Sequence, residues 1–316
     1  MLIETTGLAR IVNKLDHPSD NEVAQHIGRD TQIERPRELE DWLNFNVYHP
    51  LSIRLARRLA PSCVTPNMVS VAGGACVIVA AMTYAIPGWP LPAVLGLSFH
   101  LAWHILDGAD GDLARLTGKS GPVGEVIDGL SDYLSHIVLY CVLATVLADQ
   151  IASPIAWFLA ISAGFSRILQ ANFYEVQRRQ YQLWVYARPW MGDAQKDELS
   201  SRTDPLGRVI RAYLSLATMS GGMGSRLQQH YVSLAGVGTE CERFKASVRQ
   251  NFSPILHSVS LLGANQRTLV LGASMLAGSP LYFFLYEVVL LNIAFVWSRR
   301  ACLAAGRNVA KDLDLT

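Results

Sequence analysis

The sequence is poor in charge and has no excess of either sign. Acidic and basic residues make up 17% of the 316 positions, with Lys plus Arg at 27 against Asp plus Glu at 26. The basic residues are scattered over short connecting segments, which excludes the dense positive stripe of a nucleic-acid partner. Also missing is any C-x-x-C pair. Cys63, Cys76, Cys141, Cys241 and Cys302 lie far apart, several inside apolar runs, and are expected to act as inert packing residues. The stretch MLIETTGLARIVNKLDHPSD lacks the apolar core and small-residue cleavage site of a secretory signal. Membrane insertion is therefore expected from internal helices. The chain shows neither an internal repeat nor a low-complexity tract.

What is present is apolar length: half of the residues are hydrophobic, and they fall in long blocks, which is a membrane composition. The first forty or so residues carry no sustained apolar periodicity and read as a cytoplasmic extension. In HPLSIRLARRLAP, Leu51, Leu55 and Leu59 recur at helical spacing beside Arg54, Arg57 and Arg58, the pattern of an interfacial amphipathic helix on an anionic membrane face. A solvated amphipathic helix is the alternative.

The first span is predicted from Thr65-Pro66-Asn67, where a hydroxyl N-cap precedes a proline at the first helical position. The second starts near Leu91 and turns acidic at Asp107. The third starts near Pro122 with Asp128 and Asp132 in its first turns, the fourth near Pro154, the fifth is the short TLVLGASMLAGS, and the sixth is LYFFLYEVVLLNIAFVW. The expected fold is thus an all-α polytopic membrane protein with six transmembrane helices. Its expected divisions are a cytoplasmic extension and interfacial helix over 1–62, catalytic transmembrane helices over 63–180, a helical cytoplasmic insertion over 181–265, and the last two spans with a tail over 266–316. The insertion's apolar positions have two possible partners, the membrane surface or a second protomer.

Charge predicts the orientation. The connections IPGWPLP, ADQIASP and AGSP hold no Lys or Arg, whereas Arg57 and Arg58, Arg115 and Lys119, Arg178 and Arg179, Arg267, and Arg299 and Arg300 fall at the opposite span ends. By the positive-inside bias, both termini and the acidic segment face the cytoplasm.

That acidic segment, DGADGDLARLTGKSGPVGEVIDGLSD, puts carboxylates at the edge of membrane helices, where charge is costly unless compensated. Asp107, Asp110, Gly111 and Ala114 share one helix face, and Gly124, Asp128 and Asp132 share another. Two helices joined by a short loop can bring the four carboxylates to one point. Their mutual repulsion calls for hard divalent cations with oxygen ligands, two ions fitting the count, with magnesium leading and manganese the alternative. Gly111, Ala114 and Gly124 leave room for a bulky ligand, and Arg115 is placed to neutralise a phosphate. The structural alternative is that the small residues serve helix packing and the aspartates are solvated loop residues.

The pattern D-x-x-D-G-x-x-A-R, eight residues, then G-x-x-x-D-x-x-x-D is met by Asp107, Asp110, Gly111, Ala114, Arg115, Gly124, Asp128 and Asp132. It resembles the signature of the CDP-alcohol phosphotransferases, and the resemblance extends over Pro66 to Phe173 and, more loosely, over the last two spans. It implies transfer of a phospho-alcohol group from a CDP-alcohol to a hydroxyl acceptor, with release of CMP. It further implies metal ions on Asp107, Asp110, Asp128 and Asp132, and a cytidine and diphosphate site at Asp110, Gly111, Ala114, Arg115 and Gly124. Asp132 is implied as the general base, and a homodimer as the assembly. CDP-diacylglycerol in phospholipid synthesis at the inner membrane is the expected donor, and a soluble CDP-alcohol with a lipid acceptor is the alternative. A divalent-cation transporter would need polar residues along the whole span, whereas the third helix turns apolar beyond Asp132; an inactive scaffold is opposed by the complete motif. Arg167, His104 and Lys119 are candidates for the acceptor pocket. Arg167 either grips the acceptor or snorkels, His100 and His104 either line the pocket or are buried imidazoles satisfied by neighbouring helices, and Lys119 and Arg267 either meet anionic groups or serve topology alone.

Overall fold

Prolines and glycines decide where these helices begin and end. The computed structural model describes residues 36–187, 225–234 and 238–315, and among the described residues the secondary structure is helical. The expected helix DPLGRVIRAYLSLAT and the glycine-rich MSGGMG lie outside the described residues, as does the chain before residue 36. A short π-helical turn, Asn44–Tyr48, leads into α1 (His49–Leu59). Helix α2 (Pro66–Tyr84) starts as predicted, with the Thr65 side chain accepting from the Met68 amide at 3.3 Å and Pro66 at the first position. Next come α3 (Leu91–Thr117), α4 (Pro122–Ala148) and α5 (Ser153–Tyr186). After the undescribed stretch follow α6 (Ser225–Ser233), α7 (Thr239–Val259) and α8 (Ala264–Leu276). Last are α9 (Leu281–Leu285) and α10 (Leu291–Asp312), joined by the π-helical turn Tyr286–Leu290.

Three helical runs, Pro66–Tyr84, Val123–Ala148 and Leu281–Asp312, are long and apolar enough to cross a bilayer, which marks an integral membrane protein. The other expected spans differ for physical reasons. The 13 residues of α8 reach about 20 Å at ~1.5 Å per residue, against a hydrocarbon core of about 30 Å. Helix α3 begins apolar and turns charged from Asp107 to Arg115, and α5, unbroken for 34 residues, carries Glu175, Arg178 and Arg179 in its C-terminal half.

Small residues let the central helices approach closely. A Cβ on Gly73 would stand 3.4 Å from the Trp103 ring, and one on Gly96 would meet the Tyr84 ring at 2.5 Å. Val77, Tyr84, Leu139, Leu143, Phe283 and Phe284 belong to the core that these helices share with α9. A second core joins the far end of α5 to α7 and α10, with Trp184, Phe244, Phe252, Leu262, Cys302 and Val309 buried together. The apolar positions of α7 are therefore covered by the same chain, which neither of the two expected partners anticipated.

Helix α1 is tied to the bundle rather than merely laid on a surface. The Ser52 hydroxyl donates to the Ile105 carbonyl at 2.9 Å, and Ala56 is buried with Val69, Ala109 and Leu113, while Arg54, Arg57 and Arg58 stay exposed. The contact needs Gly108, where a Cβ would come within 2.5 Å of the Ser52 oxygen. Gly108→Ala is expected to push α1 away and cost about 1–3 kcal/mol, measurable as a lowered unfolding temperature in detergent; an unchanged temperature would show that α1 contributes no docking energy.

The structure moves two expected groups. Arg267, expected at a cytoplasmic loop, is buried at 2% exposure and paired with Glu287, itself fully buried. It also donates to Gln170 at 2.8 Å and to the Leu262 carbonyl at 3.2 Å. It is an internal cation compensated inside the bundle, not a headgroup contact. The cysteines are all free, and while Cys241 and Cys302 are buried as expected, Cys63 and Cys141 are exposed.

Candidate metal and substrate site

The site forms where α3 ends and α4 begins. Helix α3 stops at Gly118, whose φ of 68° is a left-handed conformation that costs glycine nothing, and the short turn that follows lets α4 start at Pro122 beside it. On the facing surfaces, Asp107, Asp128 and Asp132 each offer a carboxylate oxygen within 4.8 Å of the others. Asp110 stands next to this trio rather than in it. Only 5% exposed, it accepts from the Ser70 hydroxyl at 2.5 Å, and its carboxyl also makes side-chain contact with Asp128. Carboxyl groups in hydrogen-bond contact need a proton or a cation between them. The donor set, all hard anionic oxygens, fits a divalent ion of the magnesium type.

A cavity of about 650 Å³ opens from Asp107, Asp128 and Asp132. One part of its wall is polar, with Tyr133, Asn172, Arg167, Arg178 and Asn265; another is apolar, with Ile137, Trp157, Ile161 and Phe165. Those four apolar side chains are also exposed on the outer surface of α4 and α5, so the cavity reaches the membrane-facing side of the bundle. Arg167 is in the wall, so it faces the cavity instead of snorkelling. His104 is also in the wall, stacked on Tyr48 with 4.8 Å between ring centroids and bonded through Nε2 to the Thr268 hydroxyl at 2.8 Å. His100 departs from the expectation of a satisfied imidazole: it is buried and neither ring nitrogen has a hydrogen-bond partner. Lys119 occupies the exposed turn after Gly118, apart from the cavity wall.

Gly111, Ala114, Arg115 and Gly124 lie beyond the carboxylates, on the loop side. Arg115 is not free to swing, because it is paired with Asp112, a completely buried carboxylate one turn away; His49 of α1 approaches Asp112 at 3.8 Å. The backbone at Gly111 runs beside the Arg115 guanidinium, 3.5 Å from where a Cβ would be, and Gly124 faces the Asn67 side chain at 3.6 Å by the same measure.

Several site residues escaped the sequence argument. Ser70 and Asp112 carry no local signal of their own. Trp103 does: it lies one turn before Asp107 on the same face of α3, and its indole N–H donates to Asp132 Oδ1 at 2.8 Å. Toward the C-terminal end of α5, Arg178 and Arg179 both pair with Glu175. Burial alone would raise the Glu175 carboxyl, but the two guanidinium groups outweigh it and hold it well below the usual carboxylate range. The segment before α1 closes the same side, with Asp41 accepting from Asn265 at 2.6 Å. Burial, helped by the Asp41 charge, pushes the Tyr48 phenol in the cavity wall up to about 12.

Fold and site together define an integral membrane protein, helical throughout the described residues, with an acidic cluster opening into a cavity that is polar on one side and apolar on the other. Residues 63–196 match the family described as CDP-alcohol phosphatidyltransferase, which bears out over that segment the resemblance read from the eight motif positions. The family supports transfer of a phosphatidyl group from a CDP-alcohol to an alcohol. No curated protein matches the chain at a significant level.

Proposed function

We propose that the protein is a metal-dependent CDP-alcohol phosphotransferase of phospholipid synthesis, moving a phosphatidyl group from CDP-diacylglycerol to the hydroxyl of a second alcohol and releasing CMP. The observation that carries this reading is the convergence of Asp107, Asp128 and Asp132 within 4.8 Å at a cavity with one apolar and one polar wall. A lipid-linked diphosphate has the same division, with acyl chains for the Ile137, Trp157, Ile161 and Phe165 side and a charged head for the aspartates.

Asp107, Asp110, Asp128 and Asp132 would hold two magnesium ions, with manganese as a substitute. Bound there, the ions supply positive charge for the diphosphate and for the departing CMP phosphate. The chain's own groups do the rest. Gly111, Ala114 and Gly124 leave the backbone open to the cytidine and diphosphate, and the Asp112 pairing keeps Arg115 beside them. Asp132 accepts the proton as the acceptor hydroxyl oxygen bonds to the phosphorus that carries the diacylglycerol and the bond from that phosphorus to the CMP oxygen breaks. Arg167, with Tyr133 and Asn172 nearby in the same wall, orients the acceptor, and His104 closes the pocket behind it. The charge map supports a cytoplasmic active site and cytoplasmic termini at the inner membrane, and family resemblance supports a homodimer.

A second reading reverses the lipid, with a soluble CDP-alcohol as donor and a lipid hydroxyl as acceptor, because the apolar wall serves either. A transporter is opposed by α4, whose inward positions beyond Tyr140 are the buried Leu143, Ala144 and Leu147.

The test is CMP release by the purified protein with magnesium, CDP-diacylglycerol and a panel of alcohols that includes inositol, inositol phosphate, glycerol phosphate and serine, then with soluble CDP-alcohols and diacylglycerol. Release is expected with one donor and acceptor pair, to fall to background with EDTA, and to return with added magnesium. Failure of every pair to give CMP would overturn the proposal.

A further inference from the structure

The Asp132 carboxylate has a fixed neighbour from a different helix. Trp103 on α3 reaches across to α4 and donates its indole N–H to Asp132 Oδ1 at 2.8 Å. The indole is 4% exposed and held on several sides. The His136 ring stands edge-on to it at 4.7 Å, the His104 ring lies at 4.5 Å, and α2 approaches through Gly73, where a Cβ would be 3.4 Å from the indole. The far side of Asp132 is anchored as well, its backbone carbonyl bonded to His136 Nδ1 at 2.8 Å. A carboxylate on an exposed helix face rotates about its terminal bond at little cost; a buried indole donor whose own position is set by packing removes that freedom.

We propose that Trp103 is a positioning residue for the transfer step: it pins Asp132 Oδ1 so that Oδ2 is the oxygen presented to the acceptor hydroxyl. This rests on the reading of Asp132 as the general base. Trp103 is not one of the eight motif positions, so the pin is a contact that the motif alone does not specify. A pinned base is aimed before the acceptor arrives, so the gain appears in turnover rather than in donor binding.

The experiment compares wild type with Trp103→Phe, which keeps an aromatic ring and loses the donor, and with the benzothiophene analogue of tryptophan placed at 103, which keeps the indole shape and loses only the N–H. The donor and acceptor are the pair that gives CMP with wild type, and kcat, the donor KM and the magnesium half-saturation are measured for each form. Both variants are expected to lower kcat about 10- to 100-fold, the range for a hydrogen bond to a charged group, with KM and magnesium half-saturation within about twofold of wild type. In an Asp132→Asn background, Trp103→Phe should add no further loss, because the indole acts only through the base.

If the analogue turns over like wild type, the proposal is overturned, even where Trp103→Phe folds poorly. It is also overturned if kcat is restored by raising magnesium, since the indole would then act on the ions. Asp132→Asn with full turnover removes the base reading itself, a result distinct from a normal analogue alongside an inactive Asp132→Asn.

Discussion

Asp132→Asn is expected to lower kcat by about 10²- to 10⁴-fold, the usual contribution of a positioned general base, while the donor still binds. Asparagine keeps the size of the side chain, and its carbonyl can still accept from Trp103, so the loss reports on proton acceptance rather than on a collapsed pocket. One carboxylate ligand is lost at the same time, so turnover is compared at saturating magnesium, where weakened ion binding no longer limits the rate. Donor binding is followed separately from CMP release. If turnover at saturating magnesium stays near wild type, Asp132 is not the base. The same experiment on Asp107→Asn should behave differently. Asp107 belongs to the same trio but comes from α3 rather than α4, and as a ligand without the base role its substitution is expected to raise the magnesium requirement first and to recover part of its rate as the ion is added.

The second large effect is on stability. Arg267 and Glu287 form an ion pair with almost no access to solvent, at 2% and 0% side-chain exposure. Around it, Gln170 donates to Asn292 at 2.8 Å and Tyr140 donates to Glu287 at 3.1 Å. The network joins α4, α5, α8 and the turn before α10. Breaking a buried pair on one side strands the other charge, which costs about 3–5 kcal/mol, whereas replacing both partners with apolar residues of similar volume is often neutral or stabilising. Glu287→Leu is therefore expected to lower the unfolding temperature in detergent by on the order of 10 °C, and the double change Arg267→Met with Glu287→Leu to regain most of that. A single substitution that leaves the temperature unchanged, or a double one as damaging as the single, would show that the pair is not a closed unit. Catalysis is not expected to follow the pair directly, because neither residue lines the cavity.

The two effects differ in how far they could be foreseen. Asp132 was visible because its signal is local: a carboxylate every fourth residue on one helix face, paired with a matching face across a loop of a few residues. Arg267 was misplaced for the opposite reason. Its flanking sequence looks like any basic residue before a short apolar run, and the acid that neutralises it lies 20 residues later in a helix whose composition reads as plain membrane span. Asp110 is intermediate. Its place in the motif was evident, but its turn toward Ser70, 40 residues away on α2, was not. Trp103 was in plain view on the Asp107 face, but an indole in an apolar helix carries no mark of what its N–H will meet.

The sequence by itself determined the membrane class, the helix starts at Thr65-Pro66 and Pro122, and the eight positions of the family motif. These follow from composition, capping and short-range periodicity, all of which act within a few residues. Tertiary structure alone decided that α1 is docked through Ser52 and Gly108, that α7 is buried against α10, that Arg167 faces the cavity while Lys119 does not, and that Trp103 holds Asp132. Each of these is a contact between distant segments, set by which side chains fit when helices close to van der Waals distance, and a one-dimensional pattern carries no term for that fit.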